Sequence, residues 1–246
     1  MNLAVALSAA LIGYLLGAIS FARLIARHLA PDKTLGAIAV PVPDTQEHYI
    51  FRSISATTIR MQYGPKYGCL TSVLDMLKAL IPTALFRLAY PDAPYYWIVA
   101  AAAVIGHNWP IYYRFQGGRG QSPMLGGLLV IDPIGLLVTN VIGLLIGQYV
   151  IKRAVAAGSV WVILLIPWMM WRGEPAGIAY AVIVNIAYWI AMRPELREYR
   201  RLQRQGDLTD MQRETEMWDM GRGMGRLGDL LMGRRKPIER PDKSSR

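Results

Sequence analysis

Long apolar runs broken by short polar segments dominate the chain. The runs near 3–28, 69–88, 94–113, 134–151, 155–171 and 175–192 can each cross or nearly cross a hydrocarbon core of about 30 Å at about 1.5 Å per helical residue. The run at 123–131 is different. Its length gives only about 13 Å of helix, so it spans only if the neighbouring loop sinks into the protein. It ends at Asp132-Pro133, a strong break signal. The pattern predicts an all-α polytopic membrane protein of about seven transmembrane helices, the fourth short. The opening MNLAVALSAALIGYLLGAISFARLIARHLA has no basic n-region or small-residue cleavage site. It reads as a retained first helix and not as a signal peptide.

Charge changes this picture by orienting it. The net charge is +10, and 14 of the 27 Lys and Arg lie from Arg193 onward, beside ten acidic residues. Arg23, Arg27 and Lys33 follow the first run. With a turn at 132–133, the loops at 29–68 and 114–122, Lys152 with Arg153, and the tail share one face, leaving Arg87 and Arg172 opposite. The positive-inside rule then places the N-terminus outside and the C-terminus in the cytoplasm. The division is a membrane body, 1–196, with a cytoplasmic insertion near 31–50, and a basic tail, 197–246, flexible or surface-helical.

Candidate chemistry concentrates in few places. Cys69 is the one cysteine, which excludes an intrachain disulfide and gives no metal set, and His28, His48 and His107 lack ligand spacing. No G-x-S-x-G elbow or CDP-alcohol transferase signature D-G-x-x-A-R occurs. Ionisable residues inside spans are functional candidates because burying a charge in lipid is costly. Asp75 and Lys78, three apart in SVLDMLKAL, share a helical face and serve either a structural pair or a site. In "GHNWPIYYRFQGGRGQSP", Gly106 to Pro123, His107 closes an apolar run. Gly117, Gly118 and Gly120 then surround Arg119. Converging backbone N–H groups with a guanidinium suit a phosphate, although such a turn also serves merely to reverse the chain. The Lys-Ser/Thr ending of a P-loop is missing.

The order of these features resembles the PlsY family, bacterial membrane acyltransferases that use acyl-phosphate to acylate glycerol 3-phosphate. That family's G-H-x-F-P-V-F-L-x-F-K-G-G-K-G is matched by Gly106, His107, Trp109, Pro110, Phe115, Gly117, Gly118, Arg119 in place of Lys, and Gly120. Its opening segment is similar to GAISFARLIAR, Gly17 to Arg27. Its G-A-T-N-V, G-x-x-x-G and D-x-x-K motifs resemble Ala56 to Ile59, Gly64 with Gly68, and Asp75 with Lys78. The resemblance covers about 10–202 apart from the insertion. Departures include Phe51 to Thr58 for S-G-N-x-G-A-T-N, Met61 for an arginine, Gln148 and Ile151 for the basic residue and serine of T-R-Y-V-S, and Met192 to Leu196 for H-R-E-N-I.

The resemblance implies attack of a glycerol 3-phosphate hydroxyl on the acyl carbonyl, releasing phosphate and lysophosphatidic acid. For that chemistry His107, Arg119 and Lys78 are the expected catalytic group. Ser53, Ser55, Thr57, Thr58, Arg60, Asp75, Gly117, Gly118, Gly120 and Arg193 would bind substrate. Acyl-phosphate, glycerol 3-phosphate and membrane lipid are the implied partners, with no cofactor, metal or nucleic acid. The implied location is the bacterial plasma membrane, the site facing the cytoplasm. Two other readings remain open: a non-catalytic relative binding an anionic lipid or a partner, and a small-anion transporter.

Overall fold

The computed structural model describes residues 1–32, 35–42 and 45–206. Helix α1 (Leu3–Gly17) starts where the Asn2 side chain accepts from Ala4 N at 2.9 Å, supplying a partner that a first helical turn lacks. The chain breaks at 18–20 and restarts as α2 (Phe21–Leu29), capped by Ser20. Strands β1 (Ile38–Pro41) and β2 (His48–Phe51) follow, then α3 (Ala56–Tyr63), α4 (Pro65–Ala89), α5 (Tyr95–Asn108) and α6 (Gln121–Ile131). Helix α7 (Pro133–Leu145) begins at Asp132-Pro133, where the Asp132 carboxylate accepts from Gly135 N at 2.9 Å. It continues as a π-helical turn, Ile146–Ile151. The short α8 (Ala154–Ala157), α9 (Val160–Arg172) and the long α10 (Pro175–Gln205) complete the described chain.

Among the described residues five helical segments are long and apolar enough to cross a membrane: Leu3–Leu29, Pro65–Ala89, Pro133–Ile151, Val155–Arg172 and Pro175–Gln205. Two of the seven expected runs give shorter helices. The run at 94–113 yields a helix that stops at Asn108, because the backbone turns extended at Trp109-Pro110. The run at 123–131 yields an 11-residue helix. The protein is mostly helical and not all-α: β1 and β2 pair antiparallel, Val40 opposite Tyr49, within the expected insertion. Helix α10 continues beyond the expected body boundary at 196, and the tail from 207 lies outside the described residues.

Small residues bring the helices together. Gly13 and Gly17 of α1 leave no room for a Cβ against Val99 and Ala103 of α5, a close approach that favours helix association in lipid. Leu128, Leu165, Met169, Tyr180, Val184 and Tyr188 belong to the main core. Asn185 donates to Val162 O at 2.7 Å, bridging α10 and α9. Leu7, Leu11, Leu85, Leu137, Trp171 and Ile186 point outward, as an apolar surface in contact with acyl chains requires.

The hairpin has its own small core, in which Val40, Val42, Tyr49 and Phe51 pack on Tyr199 and Leu202 of α10. Tyr49 donates to Glu195 O at 3.0 Å, and burial pushes its phenol well above the usual range, keeping the proton for that bond. Arg201 ties Glu47 and Glu198, both at 2.9 Å.

Candidate active site

The glycine-rich turn is pinned from several sides. The Arg23 guanidinium donates to Gln116 O at 2.9 Å and lies 4.7 Å from the Tyr113 ring centroid. Ile54 N donates to Gly117 O at 3.0 Å. Arg114 and Phe115 both hold left-handed backbone, φ 52° and 58°, an unfavourable conformation that persists where surrounding contacts fix it.

Under the turn lies a buried charged cluster. Lys78 Nζ is 2.7 Å from Asp75 Oδ1, 3.0 Å from His107 Nδ1 and 2.7 Å from Ile19 O. The helix break at 18–20 therefore supplies a carbonyl for the ammonium. An ammonium only donates, so His107 Nδ1 accepts and Nε2 carries the proton. That nitrogen sits beneath Gly118: a Cβ there would collide with it, and a Cβ on Gly117 would meet His107 O. Gly118 N donates to His107 O at 3.1 Å. The amide of that glycine is thus bonded within the protein. Gly120, φ 83°, makes the left-handed turn that starts α6.

Arg119 faces the other way, into a cavity of about 700 Å³. Its Nη2 donates to Thr57 Oγ1 at 3.3 Å and its Nη1 reaches Met192 Sδ at 3.8 Å. Arg60, Ser72, Ser159 and Tyr188 share the cavity wall with Ala56, Cys69 and Val155, and none of the described residues that line it is acidic. Two guanidiniums and several hydroxyls without a carboxylate select an anion, and the apolar patches suit an aliphatic chain beside it.

The expected site residues thus separate. Thr57, Arg60 and Arg119 meet in this cavity. Asp75, Lys78 and His107 form a buried cluster among themselves and are not among the residues that line it. Ser53, Gly117 and Gly118 line a neighbouring cavity of about 390 Å³ with Asn108 and Glu195. Thr58 braces the chain by donating to Ser53 O at 2.6 Å, and Ser55 is buried at the start of α3. Arg193 borders a separate groove with Asn185 and Trp189.

The glycerol-3-phosphate acyltransferase family model matches residues 7–202. The glycerol-3-phosphate acyltransferase of Halalkalibacterium halodurans is 32% identical over 179 residues, covering 70% of this chain and 80% of that protein. The chain belongs to the glycerol-3-phosphate acyltransferase family. It is a membrane acyltransferase of phospholipid synthesis. A Pseudomonas putida member is 31% identical over 183 residues, covering 73% of this chain and 88% of that protein. The crystal structure of PlsY (YgiH), an integral membrane glycerol 3-phosphate acyltransferase in its glycerol 3-phosphate form, has a similar fold. Its TM-score is 0.65 at 23% identity, over 80% of this chain and 92% of that one.

Within this acyltransferase, sequence reasoning missed Gln121, Ser159 and Tyr188. They come from α6, the start of α9 and α10, and meet at the cavity through the fold alone. No local spacing signals them. Arg23 was visible only as a charge after the first run, and its bond to Gln116 O spans 93 positions.

Proposed function

We propose that the Arg119 cavity is where a fatty acyl group passes from acyl-phosphate to glycerol 3-phosphate. What supports this most is the joining of Arg119, Arg60 and Thr57 in one acid-free cavity whose remaining wall is largely apolar. Both substrates are phosphate-bearing, and one carries an aliphatic tail. The glycerol hydroxyl oxygen forms a bond to the acyl carbon while the carbon–oxygen bond to phosphate breaks. The electron pair leaves with the phosphate, which takes up the hydroxyl proton as it departs. The leaving group is good enough to need no enzyme nucleophile, so positioning and charge neutralisation carry the rate. Arg119 neutralises the departing phosphate, and Thr57 holds the guanidinium in place. His107 acts from behind, fixing the turn through Gly118, and Lys78 with Asp75 holds His107.

The hydropathy and charge pattern supports a cytoplasmic site at the plasma membrane, with the N-terminus outside. The short α5 and α6 would then be membrane-embedded, adding to the five long segments.

The test is purified protein in lipid given palmitoyl-phosphate and glycerol 3-phosphate. Phosphate and lysophosphatidic acid should appear in equal amounts. Arg119→Ala should lower turnover by about 100-fold or more with unchanged thermal unfolding. Wild-type protein that releases no phosphate from any acyl-phosphate overturns the reading.

A further inference from the structure

The neighbouring cavity of about 390 Å³ is bordered by polar groups that acyl transfer in the Arg119 cavity does not use. Glu195 is 1% exposed and forms no ion pair among the described residues. Its Oε1 accepts from Ser53 N at 3.1 Å, and its Oε2 has no hydrogen-bond partner. Ser53 is 8% exposed, and its Oγ is likewise unpartnered. A buried carboxylate with one neutral donor and no cation has its desolvation uncompensated.

The fold holds this pair in place. Tyr49 donates to Glu195 O at 3.0 Å, and Thr58 Oγ1 donates to Ser53 O at 2.6 Å. The two residues are thus fixed where the hairpin, α3 and α10 meet. Pro194, one residue before Glu195, has no N–H for Ile190 O, and both Pro194 and Ile190 line the cavity. Trp109 and Phe115 add aromatic rings to the wall, a surrounding that favours an organic cation. Arg52 also lines the cavity, is exposed, and has no partner among the described residues. The acceptors therefore stand at the buried end and a cation at the exposed end.

We propose that this cavity is a second binding site, for a small zwitterion whose protonated primary amine meets Glu195 Oε2 and Ser53 Oγ and whose carboxylate or phosphate meets Arg52. An ammonium has three donors and no acceptor, which suits bare oxygens. A neutral polyol would leave the carboxylate without a counter-charge. One carboxylate oxygen and one hydroxyl are too few for a calcium-like metal ion. Gly117 and Gly118 line this cavity, whereas Arg119 lines the larger one. The two sites stand on opposite sides of one turn, and occupancy of the second requires no chemistry in the first.

Two probes distinguish the anionic ends: L-serine, with a carboxylate, and O-phosphoethanolamine, with a phosphate. At least one should raise the unfolding temperature of the full chain in lipid nanodiscs, saturably. Phosphocholine, whose nitrogen has no N–H, should not. Glu195→Gln keeps an acceptor for Ser53 N but removes the charge, and should raise the dissociation constant by about 10-fold or more. Arg52→Ala alters an exposed side chain and should raise it by about 3-fold. Arg119→Ala should leave it unchanged. If Glu195→Gln does not fold, Ser53→Ala must show the weakening in its place. Saturable stabilisation by neither probe, equal stabilisation by phosphocholine, or undiminished binding in these Glu195 and Ser53 variants overturns the proposal. Displacement of the probe by glycerol 3-phosphate, or its loss in Arg119→Ala, puts the ligand in the substrate cavity and overturns a second site. Phosphate release from palmitoyl-phosphate is a separate readout, so failure of the acyl-transfer reading is seen independently.

Discussion

Arg119 and Lys78 carry the same charge to opposite ends. The guanidinium has a hydroxyl and a thioether for partners and faces a cavity, whereas the ammonium is enclosed by a carboxylate, an imidazole and a carbonyl. Removing the first should affect chemistry; removing the second should affect folding. Lys78→Met leaves Asp75 ionised and buried without its partner, which costs about 3–5 kcal/mol. Unfolding in detergent or lipid should register that loss, and Asp75→Leu added to it should restore part of the stability. Gly118→Ala tests the contact from the other side. The new methyl meets the His107 ring, so the turn must shift. A displacement of about 1 Å at a positioned group reduces turnover by about 100-fold, measured as phosphate release with folding intact.

The elements differ in how well the chain announces them. The long spans are legible because a lipid-facing helix must be apolar over its full length, and Asp132-Pro133 marks the α6–α7 junction both by punctuation and by its cap. The hairpin was not legible. Its strands are four residues each, β1 ends in proline, and a third of its buried core comes from Tyr199 and Leu202, about 150 positions away. At the site the Asp75–Lys78 spacing and the glycine turn could be read locally. That Gly118 packs on His107, or that Ile19 closes the Lys78 shell, depends on helices meeting. The hairpin also separates two kinds of contact. Leu202→Ala removes a fully buried side chain and should cost about 2–5 kcal/mol, seen as earlier proteolytic cutting within 38–51. Arg201→Ala removes surface bridges whose arginine side chain is 40% exposed, and exposed bridges contribute about 1 kcal/mol or less. Cutting should then stay close to wild type.

At the scale of the molecule, the body is a set of spans fastened around one turn. The first helix breaks to give Lys78 a carbonyl, the fourth carries that lysine, the fifth carries His107 in its last turn, and α10 closes the cavity with Tyr188 and Met192. The same arrangement leaves Cys69, the one cysteine of the chain, exposed in that cavity wall near the start of α4. A natural covalent handle therefore stands at the mouth of the site. N-ethylmaleimide should inactivate the wild type, saturating glycerol 3-phosphate should slow the modification, and Cys69→Ser should be resistant. A maleimide that cannot cross membranes should reach this thiol only in cells whose envelope has been opened. Labelling of intact cells would place the mouth on the outer side. One sulfur atom thus reports both occupancy of the site and its sidedness.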